Sequence, residues 1–83
     1  MTPDRAAVPL DRLATGTPAR IVRVDAPGSL GDRLVELGLT PGAAVAILRR
    51  APFGGPLQLR VREFVLSIQS HTAAGIAVLP DAV

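Results

Sequence analysis

The chain has 83 residues, enough for one domain with a single modest core. Apolar residues make up 48% of it and the mean hydropathy is +0.38, which excludes the compositions typical of disordered proteins. Nine arginines oppose seven acidic residues, and there is no lysine, tyrosine or cysteine. The net charge of +2 is too mild to indicate nucleic acid binding, and the lack of cysteine excludes disulfides and thiolate metal sites.

No stretch reaches the roughly 18 apolar residues that a membrane-spanning helix requires. The N-terminal residues also lack the apolar run of a secretory signal. We therefore expect a cytoplasmic protein without direct membrane insertion. Residues 1–8 and 80–83 are expected to form flexible tails on either side of a domain at 9–79.

The first predicted elements are a short turn and a strand. Leu10 and Leu13 are expected to point inward from a turn that Gly16 closes. Residues 19–24 alternate between apolar and basic side chains, which predicts a strand near the edge of a sheet.

The clearest local signal is a short helix. Ser29 followed by Asp32 resembles a capping box, which marks a helix start. Leu30, Leu34 and Leu37 recur at the spacing of one helical face. These residues predict a two-turn helix with one apolar stripe.

The helix is followed by a strong stop. Gly38 stands where a left-handed residue closes a helix, and Leu39 is then placed to contact Leu34, as in a Schellman ending. Pro41 prevents the helix from resuming, and with Gly42 it occupies the centre of a type II turn.

Two segments with alternating apolar residues, at 44–50 and 57–62, predict an antiparallel hairpin. Its connection, residues 51–56, contains Gly54 and Gly55, which are expected to supply the positive φ angles of a tight turn. Two prolines in the same connection stiffen it.

The remaining pattern predicts a tight turn at 62–63, a strand at 64–69, a helical turn at 70–75 and a closing strand at 76–78. About five short strands and one two-turn helix indicate a mainly β protein. Because the helix is too small to cover a flat sheet, we expect the sheet to curl into a small SH3-like barrel.

Two motifs carry a resemblance to a known family. RLVELGLTPG at residues 33–42 and APFGGPL at 51–57 resemble, in order and spacing, motifs of the FeoA family of ferrous iron transport proteins. The likeness extends from about residue 8 to residue 79. It implies an SH3-like barrel that acts as a cytoplasmic accessory to FeoB, a membrane ferrous iron transporter with a GTP-binding domain. The family is also described as binding transition metal ions.

The chain departs from the family pattern at one corner. Where the family usually has an arginine and then acidic residues, this sequence has Gln69, Ser70, His71 and Thr72. If this corner contacts a partner through charge, the mode of binding differs here.

Candidate partner-binding residues lie on the hairpin and at the exposed end of the helix. They are Phe53, Arg49, Arg50, Arg33 and Leu39. The arginines suit an acidic protein surface. Phe53, at the tip of a stiff loop, is equally consistent with contact to a partner and with folding back over the barrel mouth.

A metal site made only from this chain has few potential ligands. Asp32 and Glu36, at i and i+4, could hold a divalent cation together with His71. The simpler interpretation is a solvated helix face with an Arg33–Glu36 pair. We expect no required cofactor and at most weak binding of Fe²⁺ or another divalent metal.

Three functional hypotheses remain. The leading one is a non-enzymatic module that acts by contact with a FeoB-like transporter. The alternative is a basic barrel that binds nucleic acid through Arg49, Arg50, Arg60 and Arg62, although stacking aromatics are nearly missing. The third is a sensor whose metal site a second copy or a partner completes. Catalysis is not expected, because adjacent Ser70 and His71 point apart.

Overall fold

A computed structural model of the chain describes residues 7–26 and 28–81. Most of the two expected tails, at residues 1–6 and 82–83, lies outside the described residues.

The described chain forms one sheet with two short helices. The strands are β1 (Val8–Pro9), β2 (Ala19–Val24), β3 (Ala44–Arg50), β4 (Leu57–Val61), β5 (Phe64–Ile68) and β6 (Ile76–Pro80). The helices are α1 (Gly28–Glu36) and α2 (Ser70–Ala73), and 3₁₀ turns occur at Leu10–Arg12 and Pro52–Gly54. In this part of the chain, no helix has the length and apolar character that crossing a membrane requires.

The strand order is β1-β6-β2-β3-β4-β5, and every neighbouring pair is antiparallel. β2 therefore has a partner on both sides, and the prediction that it lies near an edge was wrong. The physical reason is that alternating apolar and polar side chains indicate which face of a strand is exposed to solvent. They do not indicate how many strands pair with it. Arg20 and Arg23 are exposed on the outer face of an interior strand.

The core lies inside the curl of this sheet and consists of apolar side chains. Its buried members are Leu10, Leu13, Ala19, Ile21, Leu34, Leu39, Ala43, Val45, Ile47, Leu57, Leu59, Val61, Ile68, Ala73, Ile76 and Val78. Register shifts in the β2–β6 and β3–β4 pairs bend the strands, as bulges do. The mainly β, SH3-like architecture expected from the sequence is confirmed.

The sequence did not reveal β1. Its two residues pair with β6, with Val8 opposite Val78 and Pro9 opposite Ala77. Two residues are too few to show a period of two, so only the pairing identifies the strand.

Helix α1 differs in two ways from the prediction. It begins at Gly28, so Ser29 lies inside the helix and not at its cap. Of the expected apolar stripe only Leu34 is buried, at 3% exposure, whereas Leu30 and Leu37 are 40% and 44% exposed. The helix thus packs on the barrel through one side chain and leaves the flanking leucines at the surface.

The helix stop is confirmed in detail. The Leu39 N–H donates to the Leu34 carbonyl at 3.0 Å and the Gly38 N–H donates to the Val35 carbonyl at 3.0 Å, the two bonds of a Schellman ending. Gly38 has φ +99° and Gly42 has φ +89°, values that favour glycine. A type II turn follows, and through this stop the chain enters β3.

Candidate docking surface

The hairpin loop, residues 51–56, joins β3 to β4 and departs from the expected turn. Its positive φ angles belong to Phe53, at +60°, and Gly54, at +75°, whereas Gly55 has φ −71°. The prediction that the two glycines share this role was therefore wrong for Gly55. Gly55 is needed for space instead, because an added Cβ would lie 2.7 Å from the Cβ of Ala51.

Phe53 is the most exposed large apolar side chain of the described residues, at 103% relative exposure. The alternative in which it folds back over the barrel mouth is not what the structure shows. A bulky residue in the left-handed region is uncommon and costs about 1–2 kcal/mol. The chain thus holds an aromatic ring in water on unfavourable backbone, which favours a contact role for this side chain.

Helix α2 fixes the position of this loop. The Ser70 hydroxyl lies 2.6 Å from the carbonyl oxygen of Gly55 and 3.2 Å from that of Gly54. Ser70 belongs to the corner at 69–72 where the sequence departs from the family pattern. The sequence analysis missed this positioning role, because the contact joins residues 15 and 16 positions apart.

A cleft of about 350 Å³ lies beside the loop on the outer face of the sheet. This hairpin cleft is lined by Arg49, Arg50, Ala51, Pro52, Pro56, Gln58 and Ser67. Arg49 is opposite Gln58, and Gln58 is opposite Ser67, so three hydrogen-bond donors form one row across β3, β4 and β5. No acidic side chain lines the cleft.

The two arginines of the cleft have different roles. Arg50 donates to the backbone carbonyl of Asp11 at 2.6 Å and to that of Leu13, which ties the end of β3 to the first turn. It also brings positive charge near Asp11, whose Oδ1 is buried without a hydrogen-bond partner among the described residues. The Arg49 side chain is exposed, and its guanidinium has no hydrogen bond or ion pair within that same part of the chain.

A second concave region, about 470 Å³, lies between α1 and the β5–α2 corner. This helix groove is lined by Leu30, Arg33, Leu34, Leu37, Ser67, Ile68, Gln69 and Thr72. Arg33 is exposed and does not form the expected pair with Glu36; the one ion pair in residues 7–26 and 28–81 joins Arg23 to Asp25 at 3.1 Å. Ser67 lines both the groove and the hairpin cleft.

Two groups of predicted site residues need correction. Leu39 is completely buried, because the Schellman ending turns it into the core, so it cannot form part of an exposed docking surface. His71, Asp32 and Glu36 are not brought together: no group of three or more His, Cys, Asp or Glu side chains that could hold a metal ion occurs within the described ranges. The spacing of Asp32 and Glu36 places both on α1, but His71 lies on α2.

The fold and its surface define a small SH3-like barrel whose distinctive chemistry lies on the outside: an exposed aromatic ring, exposed arginines and two clefts. The family model for the FeoA domain matches residues 8–80. The chain belongs to the FeoA family, which is associated with ferrous iron transport.

Similar proteins agree with this assignment. A Fe(2+) transport protein A/Fe(2+) transporter FeoB fusion protein of Porphyromonas gingivalis is 33% identical over 69 residues, covering 83% of this chain. This chain spans only 8% of that relative's length.

Solved structures match across most of the fold. The FeoA protein of Chlorobium tepidum is 33% identical, with a TM-score of 0.86 over 90% of this chain and 71% of the other. The zinc-complexed FeoA of Stenotrophomonas maltophilia, described as a prokaryotic SH3 domain protein, is 27% identical. Its TM-score is 0.72, over 83% of this chain and 86% of the other.

Proposed function

We propose that this protein is a non-enzymatic accessory module of ferrous iron transport that docks, in the cytoplasm, on the cytosolic part of a FeoB-type membrane transporter. The observation that carries the proposal is the fully exposed Phe53, in the loop that follows Arg49, together with an Arg49 guanidinium that has no partner within residues 7–26 and 28–81. Support for the partner comes from the P. gingivalis relative, in which transport protein A and FeoB are one chain. A fusion holds two modules at high effective concentration, an arrangement that favours partners which bind each other.

The energetics of docking suit this surface. A phenylalanine side chain that a partner covers completely contributes about 1.5–3 kcal/mol to binding before the costs of association. Aromatic and arginine side chains are the residues that most often dominate binding energy. Because Pro52, Pro56 and the Ser70 contact stiffen the loop, little conformational entropy is lost on binding.

The Ser70 hydroxyl of the site has a structural contact, which supports a non-enzymatic role. Ser70 and Thr72 flank the chain's histidine, and the Ser70 hydroxyl lies against the carbonyl oxygens of Gly54 and Gly55. Ser70 therefore donates its proton to the loop, and among the described residues it has no hydrogen bond to a base that could activate it. We expect docking to require no bound cofactor.

The test is a binding measurement between the full chain and the isolated cytosolic part of a FeoB-type transporter. We expect Phe53→Ala to weaken the affinity at least tenfold and Arg49→Ala to weaken it by about three- to tenfold. Phe64→Ala and Arg20→Ala are the matched controls. Both side chains are exposed, but they do not line the hairpin cleft and do not belong to the hairpin loop. Unchanged affinity in both Phe53→Ala and Arg49→Ala contradicts the proposal.

A further inference from the structure

Three exposed features lie next to one another on this barrel: the hairpin cleft, the helix groove and Ser67, which lines both. Ser67 is on β5, at the outer end of the row that begins with Arg49. Neighbouring strands are about 4.8 Å apart, so the row from Arg49 to Ser67 extends for about 10 Å across the sheet. The two concave regions therefore border on each other at Ser67, and the pair is called the channel.

The charges in this channel are all of one sign. Arg49 lines the hairpin cleft and Arg33 lines the helix groove, and both are exposed and unpaired within the described residues. Neither concave region has an aspartate or a glutamate in its lining. A guanidinium has five N–H donors and no acceptor, so each end of the channel offers donors to an anionic group.

The channel also combines polar and aliphatic groups. Gln58 and Ser67 provide an amide and a hydroxyl in the hairpin cleft, and Leu30 and Leu37 provide half-exposed aliphatic surface in the helix groove. A free phosphate would use the arginines but not the leucines. A peptide that carries carboxylates and aliphatic side chains uses both.

We propose that the hairpin cleft and the helix groove form one binding site for an extended protein segment that has carboxylates toward both ends and aliphatic side chains between them. One carboxylate pairs with Arg49 and the other with Arg33, while the aliphatic side chains lie on Leu30 and Leu37. This inference rests on the proposed docking function and adds the chemistry of the segment that the barrel recognises. It also accounts for the exposed leucines of α1, which the core does not cover.

The probe is a pair of end-capped hexapeptides, one with two leucines flanked on each side by two glutamates, the other with glutamine replacing every glutamate. NMR titration of the full chain is expected to show the glutamate peptide binding and shifting the amide signals of Gln58, Ser67 and Leu37. The glutamine peptide is expected to bind at least tenfold more weakly, and higher salt should weaken the glutamate peptide's binding. Because the protein is identical in both titrations, a folding defect cannot produce this difference.

Variants then test whether the site is continuous. Arg33→Ala and Arg49→Ala are each expected to weaken binding of the glutamate peptide about fivefold, the size typical of an exposed ion pair. Arg20→Ala removes the same charge from β2, which lines neither region, and is expected to leave binding unchanged. If only one of Arg33→Ala and Arg49→Ala has an effect, the single-site proposal is overturned.

Further outcomes separate this inference from the proposed function. If the peptide behaves as expected but the transporter's cytosolic part does not bind, the recognition chemistry stands and the proposed partner is wrong. If the transporter part binds the parent and the Arg33→Ala/Arg49→Ala double variant equally, the docking function stands and this inference is overturned. Tighter binding of inorganic phosphate or of a uridine oligonucleotide than of the glutamate peptide also overturns it.

Discussion

The end of α1 and the hairpin loop are both sharp turns with two residues at positive φ, yet they treat their apolar residues in opposite ways. After α1, Gly38 and Gly42 take the positive angles and Leu39 is completely buried. In the hairpin loop, Phe53 itself takes a positive angle and its ring is completely exposed. The first turn places glycine where the backbone needs it, and the second places an aromatic residue there.

The difference separates a turn built for stability from a turn built to present a side chain. At the helix stop, local conformation and burial favour the same structure, as in a minimally frustrated sequence. At the hairpin loop the local preference of Phe53 opposes the structure, and contacts from Ser70 and two prolines hold it. Such conflicts are expected where a surface is used for binding.

The largest expected effect is on the helix stop. Leu39→Ala removes a buried side chain and is expected to lower the free energy of unfolding by about 2–5 kcal/mol, measured by denaturant titration. Leu37→Ala, at a half-exposed leucine two residues away, is expected to cost less than about 1 kcal/mol. An equal loss of unfolding free energy in Leu39→Ala and Leu37→Ala would contradict the prediction, because the buried leucine would then contribute no more to stability than the exposed one.

A smaller loss is expected where the hairpin is tied to the first turn. Arg50→Ala removes the donors to the Asp11 and Leu13 carbonyls and is expected to cost about 1.5–3 kcal/mol of stability. Its neighbour Arg49 has no such contacts, so Arg49→Ala is expected to change stability by less than about 0.5 kcal/mol. The same denaturant titration checks both, and a reversed order would show that the two arginines exchange roles in solution.

The Ser70 hydroxyl contact, which positions the hairpin loop, is expected to contribute less to stability than the Arg50 contacts. Ser70→Ala is expected to lower the free energy of unfolding by about 0.5–1.5 kcal/mol and to weaken docking, because the Phe53 loop gains freedom. Ser70→Thr keeps the hydroxyl and should restore most of both. Ser67→Ala, which removes an exposed serine, is the stability control. A Ser70→Ala variant that melts and binds like the parent would show that the prolines alone hold the loop.

At Phe53 a small change in stability is expected together with a large change in binding. Phe53→Asn replaces an aromatic residue by one that tolerates positive φ, and is expected to raise stability by about 0.5–1 kcal/mol. Binding to the transporter's cytosolic part is expected to fall at least tenfold. Thermal melts and the binding assay together check the pair of effects. Destabilisation by more than about 1 kcal/mol would mean that the ring packs on the barrel in solution.

Much of the fold could be predicted because its signals are local. The alternating apolar residues of β3 and β4 and the order of Gly38, Pro41 and Gly42 each depend on a few consecutive side chains. The errors arose where local signals were ambiguous or absent. β1 is too short to show an alternating pattern. Leu30 and Leu37 have the spacing of an apolar helical face, but spacing does not show whether the core covers them.

The candidate site was predicted only in part. Phe53, Arg49 and Arg33 lie at the surface as a docking role requires, whereas Leu39 is buried. His71 on α2 does not join Asp32 and Glu36 of α1 in a group of three ligands within the described residues, because spacing along a chain does not fix which side chains of two helices meet. Ser67, shared by the two concave regions, has no local feature that could have singled it out.

The sequence by itself determined where this chain turns and which strand faces are apolar, since backbone preferences and side-chain periodicity act over a few residues. Only the tertiary structure decided that Arg50, and not Arg49, is tied to the first turn, because Arg50 donates to carbonyls 37 and 39 positions away. It also decided that the Phe53 ring is exposed to solvent, because the Ser70 hydroxyl of α2 holds the hairpin loop in place. Contacts over such separations exist only once the barrel has closed around its core.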